Sequence, residues 1–196
     1  MIKTAKNTLV IIFFAGALFQ SCNRVDIYAV KIQSLDSLSG AVNSSAKEVD
    51  KTDTVILDKA ISRFNQYKQF IQQNVKDTLT KVEADFTQQF YTSGASLENF
   101  ATNRRSIKAR MNLINSQIEK LKTDAKNRSI TEEKLIEFAN QEKKEAGNLI
   151  EASQKQQQLF YTSLQEFKTS LKGVEDIIKA RNNGQLPTII KDTLSL

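Results

Sequence analysis

The chain has 196 residues and a net charge of +6, and 26% of its residues are charged. It contains no histidine, one cysteine, no tryptophan, one proline and six glycines. Without histidine the commonest general base and metal ligand are missing, and a lone cysteine excludes a disulfide framework. Few helix breakers among many Ala, Leu, Ile, Glu, Lys and Gln residues point to an all-α chain.

Residues 1–22 have a directional pattern. Lys3 and Lys6 precede an apolar run from Thr8 to Phe19, which is too short for a membrane-spanning helix, and Ser21 then precedes Cys22. This order resembles the leader of bacterial lipoproteins, with Phe19 and Gln20 departing from the commonest lipobox and Ser21-Cys22 matching the looser Bacteroidetes-type form. The resemblance implies cleavage before Cys22 and acylation of Cys22, so that the bilayer is the first partner. It also implies a location. Residues 23–26, Asn-Arg-Val-Asp, carry no acidic cluster of the surface-export kind, and Asn23 is not an inner-membrane retention aspartate. The expectation is therefore the outer membrane, on its periplasmic face. The mature chain would keep about 175 residues, the size of one domain, with a charge reduced to +4 by the loss of Lys3 and Lys6.

Past the leader, apolar residues recur at three- and four-residue steps, and no segment alternates with period two. The first stripe runs from Val25 through Ile32, Leu35 and Val42 to Val49. A second runs from Leu57 through Phe64, Ile71, Val75, Leu79, Val82 and Phe86 to Phe90. A third extends from Leu97 through Ile107 and Ile118 to Ala125, and a fourth from Leu135 through Phe160 to Ile178. Thr52-Asp53-Thr54 supplies N-cap oxygens, Thr131 caps the fourth helix, and Asn182-Asn183-Gly184 ends it before Pro187. Gly94 reads as a break between the second and third stripes. A single glycine costs a helix about 1 kcal/mol, so a continuous rod through it is the alternative.

The pattern predicts an elongated antiparallel helical bundle with coiled-coil-like packing, made of three long helices and an N-terminal helix. The expected divisions are a leader at 1–21, a lipidated N-terminal helix at 22–50, the long-helix bundle at 51–184 and a tail at 185–196. Glu142 and Gln156 interrupt the fourth stripe as polar seam positions. Phe90-Tyr91-Thr92-Ser93 recurs as Phe160-Tyr161-Thr162-Ser163, and Ile107-Lys108-Ala109-Arg110 as Ile178-Lys179-Ala180-Arg181, an echo compatible with a decayed duplication.

Chemistry-bearing motifs are sparse. Adjacent carboxylates such as Glu132-Glu133 lie among lysines and read as helix-surface ion pairs, so neither catalysis, a cofactor nor a metal is expected. The densest basic run comprises Arg104, Arg105, Lys108 and Arg110 and suits an anionic lipid or wall polymer. Export argues against nucleic acid. Four triplets read Asp, hydroxyl residue, aliphatic, centred on Ser37, Thr54, Thr78 and Thr193. Ten aspartates in this composition would give roughly 0.6 such triplets by chance. The triplet resembles the O-glycosylation acceptor of exported Bacteroidetes-type proteins. Thr193 is the best placed, beyond Pro187, whereas Thr78 is expected to project from a helix. The leading functional expectation is a scaffold lipoprotein that meets protein partners through its helical surface. The second is a periplasmic holdase for outer-membrane proteins, similar in outline to Skp-type chaperones.

Overall fold

The computed structural model describes residues 26–186, and it is all-α. The helices are α1 (Ile27–Asp50), α2 (Thr54–Asn74), α3 (Lys81–Lys126) and α4 (Glu132–Arg181). Their starts follow the caps. Asp26 and Asp53 each accept from two backbone N–H groups of the first turn, and Thr131 accepts from that of Lys134. Such side-chain oxygens satisfy donors that a helix leaves free. The α4 end follows its glycine: Asn183 and Gly184 take positive φ, and the Gly184 N–H donates to the Lys179 carbonyl at 2.8 Å.

α3 and α4 form a long antiparallel hairpin, and 50 residues at 1.5 Å make α4 ~75 Å long. α1 and α2 lie end to end along this hairpin, so three helices share the cross-section on either side of the break at residues 51–53. The register survives the break between them. Ser45 of α1 meets Ser153 of α4, and Tyr67 of α2 meets Glu175 of α4; both pairs are 108 residues apart. α1 and α2 thus behave as one interrupted rod, parallel to α4 and antiparallel to α3.

The core falls into two clusters. The first joins Leu35, Val42 and Val49 of α1 to Ile107–Ala125 of α3 and Leu135–Leu149 of α4. The second joins Leu57–Ile71 of α2 to Phe90–Phe100 of α3 and Phe160–Ile178 of α4, and is built on rings. Phe64 lies 5.3 Å from Phe90 and 6.5 Å from Phe167 by ring centroids, and Phe100 stacks on Phe160 at 4.7 Å. Such pairs add about 0.5–1.5 kcal/mol each beyond area burial. The echoed segments present equivalent faces, with Phe90, Ser93, Phe160 and Ser163 all buried.

Two sequence expectations need correction. The break expected at Gly94 is absent: α3 runs through it. The interruption lies instead at residues 75–80, inside the expected second stripe, so Phe86 and Phe90 belong to the same helix as Leu97. Thr80 and Glu83 form a reciprocal capping box there. The 75, 79, 82 spacing of apolar residues conceals that start. Among the described residues there are accordingly two long and two shorter helices rather than three long ones.

Gly94 is a packing residue. A Cβ placed on it would lie 2.1 Å from the Phe64 ring, and that ring is confined by Phe90, Tyr91 and Phe167. Gly147, in α4, has open space beside it. Gly94→Ala is therefore expected to destabilise the fold by about 1–3 kcal/mol through overpacking. Gly147→Ala should stabilise it by up to about 1 kcal/mol through helix propensity. Urea denaturation of the two variants checks the opposite signs.

Candidate functional site

The most chemically varied region of the described residues is the joint between α1 and α2. At its centre Thr52 is buried, and the two core clusters meet across a polar level. The Ser45 and Ser153 hydroxyls lie 2.7 Å apart, and Asn103 donates to the Gln156 side chain at 3.4 Å. The last carbonyls of α1 accept from the backbone N–H groups of Lys51 and Thr52, and α3 brings cations to this helix end. Arg104 Nε donates to the Val49 carbonyl at 3.2 Å, and its Nη2 approaches Asp50 Oδ1 at 3.4 Å. Lys108 Nζ reaches the same Asp50 oxygen at 2.7 Å. Cations near a helix C-terminus oppose its partial negative charge.

This geometry divides the basic run. Arg104 and Lys108, four residues apart and on one face, hold the end of α1. Arg105 donates to the carbonyl of Ala101 in its own helix and is exposed, as is Arg110. The exposed cations on other faces are thus Arg105 and Arg110, while the other two are engaged with Asp50. The polar seam positions also separate. Gln156 finds Asn103, but Glu142 Oε2 is buried without a partner. Burial first, and then the neighbouring Glu145 charge, raise the Glu142 carboxyl above its ordinary pKa.

The hydroxyl triplets occupy different settings. Ser37 lies within α1 and donates to the Gln33 carbonyl at 3.1 Å. Thr54 opens α2 directly after its cap, Asp53. Thr78 does not project from a helix as expected: it is exposed in the connection between α2 and α3. Cys22 and Thr193 lie outside the described residues.

Several contacts had only faint sequence signals. Serines at core positions, including Ser39, Ser93 and Ser170, are buried within the stripes. Tyr67 is buried and donates to Glu175 Oε1 at 2.7 Å; burial first, then that carboxylate, push its phenol well above the usual range. Lys122 bridges Asp36 of α1 and Glu119 of α3, and hydrogen bonds to those carboxylates raise its pKa. At the far end Arg181 Nη1 meets Glu83 Oε1 at 2.8 Å, tying the α4 terminus to the start of α3. Complementary charges about 100 residues apart cannot be matched in sequence without the hairpin register.

The described residues define a helical rod in which most side-chain hydrogen bonds stay within one helix or its cap and a smaller set joins helices. Among them no group of three or more His, Cys, Asp or Glu residues could hold a metal ion, and no helix is long and apolar enough to cross a membrane. No family model, no curated protein and no solved structure matches the chain.

The Glu83–Arg181 pair gives a pH-dependent expectation. The Arg181 hydrogen bond first, then those from Thr80, hold the Glu83 carboxyl down at about 2, against about 4.3 when unfolded. Its stabilising contribution is thus full above the unfolded value and is lost as the pH falls from about 4.3 toward 2. Glu83→Gln should melt below the wild type at pH 7, and the difference should shrink between pH 4.5 and 2.5. Thermal melts across that range test it.

Proposed function

We propose that the protein is a periplasmic lipoprotein, anchored through acylated Cys22 to the outer membrane, and that its helical body is a non-catalytic scaffold or interaction component of the envelope. The leader and Cys22 support the anchor. One structural observation supports the scaffold: the α1–α2 rod keeps a single 108-residue offset from α4 across its break. Three helices in one register over ~75 Å make a spacer that resists bending. Apolar side chains for protein contacts are available on its flanks, including Leu113 of α3 and Leu159 and Tyr161 of α4, which is 61% exposed.

Cys22→Ala should move the protein from the membrane fraction to the periplasmic fraction. After cleavage, acyl chains are the strong anchor this reading provides. Retention of a normally processed variant through a high-salt wash would overturn the anchor. Crosslinking from membranes followed by capture should return a few fixed partners; a broad set of unfolded outer-membrane proteins would instead indicate a holdase.

Among the described triplets, Thr78 best suits glycan addition, because its exposed connection offers a transferase non-helical backbone. Intact-mass spectrometry of natively exported protein should show a sugar increment that Thr78→Val reduces. A mass explained entirely by the chain and its lipid would leave capping and turn formation as the roles of these triplets.

A further inference from the structure

We propose that the α3–α4 turn, with the first turn of α1, is the surface by which the rod meets zwitterionic lipid headgroups, and that the α2–α3 connection is held away from the bilayer. The inference rests on acylation of Cys22 and adds an orientation that acylation alone does not supply.

The length of chain before α1 carries the argument. α1 is capped by Asp26, four residues beyond Cys22. Four residues span at most ~14 Å, a small fraction of the ~75 Å rod. The start of α1 is fastened to the α3–α4 turn by three contacts. Asp26 Oδ2 pairs with Arg128 Nη2 at 3.2 Å, the Arg128 guanidinium lies 5.0 Å from the centre of the Tyr28 ring, and Tyr28 Oη donates to the Ile130 carbonyl at 2.8 Å. Whatever holds Cys22 at the membrane therefore holds this turn there too.

The surface at that end has a matching character. Val30 is 48% exposed and Phe138 is 41% exposed, with Ile136 nearby in sequence. Lys126, Arg128 and Lys134 are matched in number by Asp124, Glu132 and Glu133, so neither sign dominates. An open cleft of about 500 Å³ combines Asp124, Ser129, Ile130, Thr131, Lys134 and Phe138. Apolar groups beside both charge signs suit a layer of phosphate and ammonium groups over acyl chains, where amphipathic surfaces settle. Val82, at the opposite end, is also exposed, so apolar exposure alone does not choose between the ends. The short tether does.

The test uses the full acylated protein in phosphatidylcholine–phosphatidylethanolamine vesicles containing a nitroxide-headgroup lipid. A fluorescent amino acid replaces either Lys126, at the turn, or Lys76, in the far connection; both positions are exposed. Circular dichroism first confirms that both labelled proteins retain the wild-type helix content. Quenching at 126 should exceed that at 76 by at least fivefold, and adding phosphatidylglycerol should change the ratio by less than twofold. Equal quenching would mean that the rod lies flat, and stronger quenching at 76 that it is inverted; either overturns the orientation. A ratio that depends on anionic lipid would point to the exposed arginines of α3 and overturn the headgroup assignment. Intact mass separates the two levels of failure. A protein without acyl chains defeats the anchor and the orientation together, whereas an acylated protein unquenched at 126 defeats only the orientation.

Discussion

The structure depends on the burial of two long apolar stripes, from Phe90 to Ala125 in α3 and from Leu135 to Ile178 in α4. α3 and α4 can cover one another on one side only, because two helices in contact leave a groove along their seam. A third apolar surface of the same length must fill that groove. α1 and α2 do so jointly, and their common offset from α4 shows that the hairpin dictates where they sit. The interruption at Lys51–Asp53 falls where the hairpin itself turns polar, at Asn103, Arg104, Ser153 and Gln156. Arg104 of the hairpin donates to the Val49 carbonyl beside the Thr52 N–H, and Asp53 caps the start of α2, so the break leaves the Val49 carbonyl and the first N–H groups of α2 paired.

The two halves of the rod use different packing. The half containing α2 is assembled from rings and requires very small residues opposite them: Gly94 beneath Phe64, and Gly173 beneath Phe86. The half containing α1 is aliphatic, with Met111, Ile118, Leu135 and Leu149 all buried. Large rings meeting glycine allow little sliding, whereas aliphatic seams admit alternative registers more readily. Directional contacts supply specificity to the aliphatic half, notably the Ser39–Asn115–Asn43 hydrogen bonds and the Asp36–Lys122 pair. Polar seam groups that select one register are a recurrent device in helical bundles.

A rod of this construction is suited to maintaining a distance. Several of its charged groups close helix ends or bridge neighbouring helices. Arg104 and Lys108 seal α1, and Glu83 and Arg181 lock the far end. The scaffold reading is consistent with that division of labour, in which the interior secures shape and the outer faces remain for contact. The tether before Asp26 makes the ends unequal, because one lies within a few residues of the proposed lipid and the other does not.

Much of this architecture was legible in the chain itself. Three- and four-residue periodicity, scarce breakers and the caps at Asp53, Thr131 and Gly184 specify helices because they are local, and each acts within one or two turns. The candidate anchor at Cys22 and the hydroxyl triplets are likewise linear motifs. The break at residues 75–80 was also local, announced by the Thr80–Glu83 box, but an apolar spacing that continued across it masked the signal. Only tertiary structure decided that Gly94 is a contact with Phe64 rather than a helix end, because a glycine in isolation does not reveal which ring lies above it. It likewise split the basic run between Asp50 and solvent, and moved Thr78 from a helix to an exposed connection. These outcomes depend on which residues lie level with one another in the assembled rod. That register is set by packing across about one hundred residues of sequence, and no local pattern encodes it.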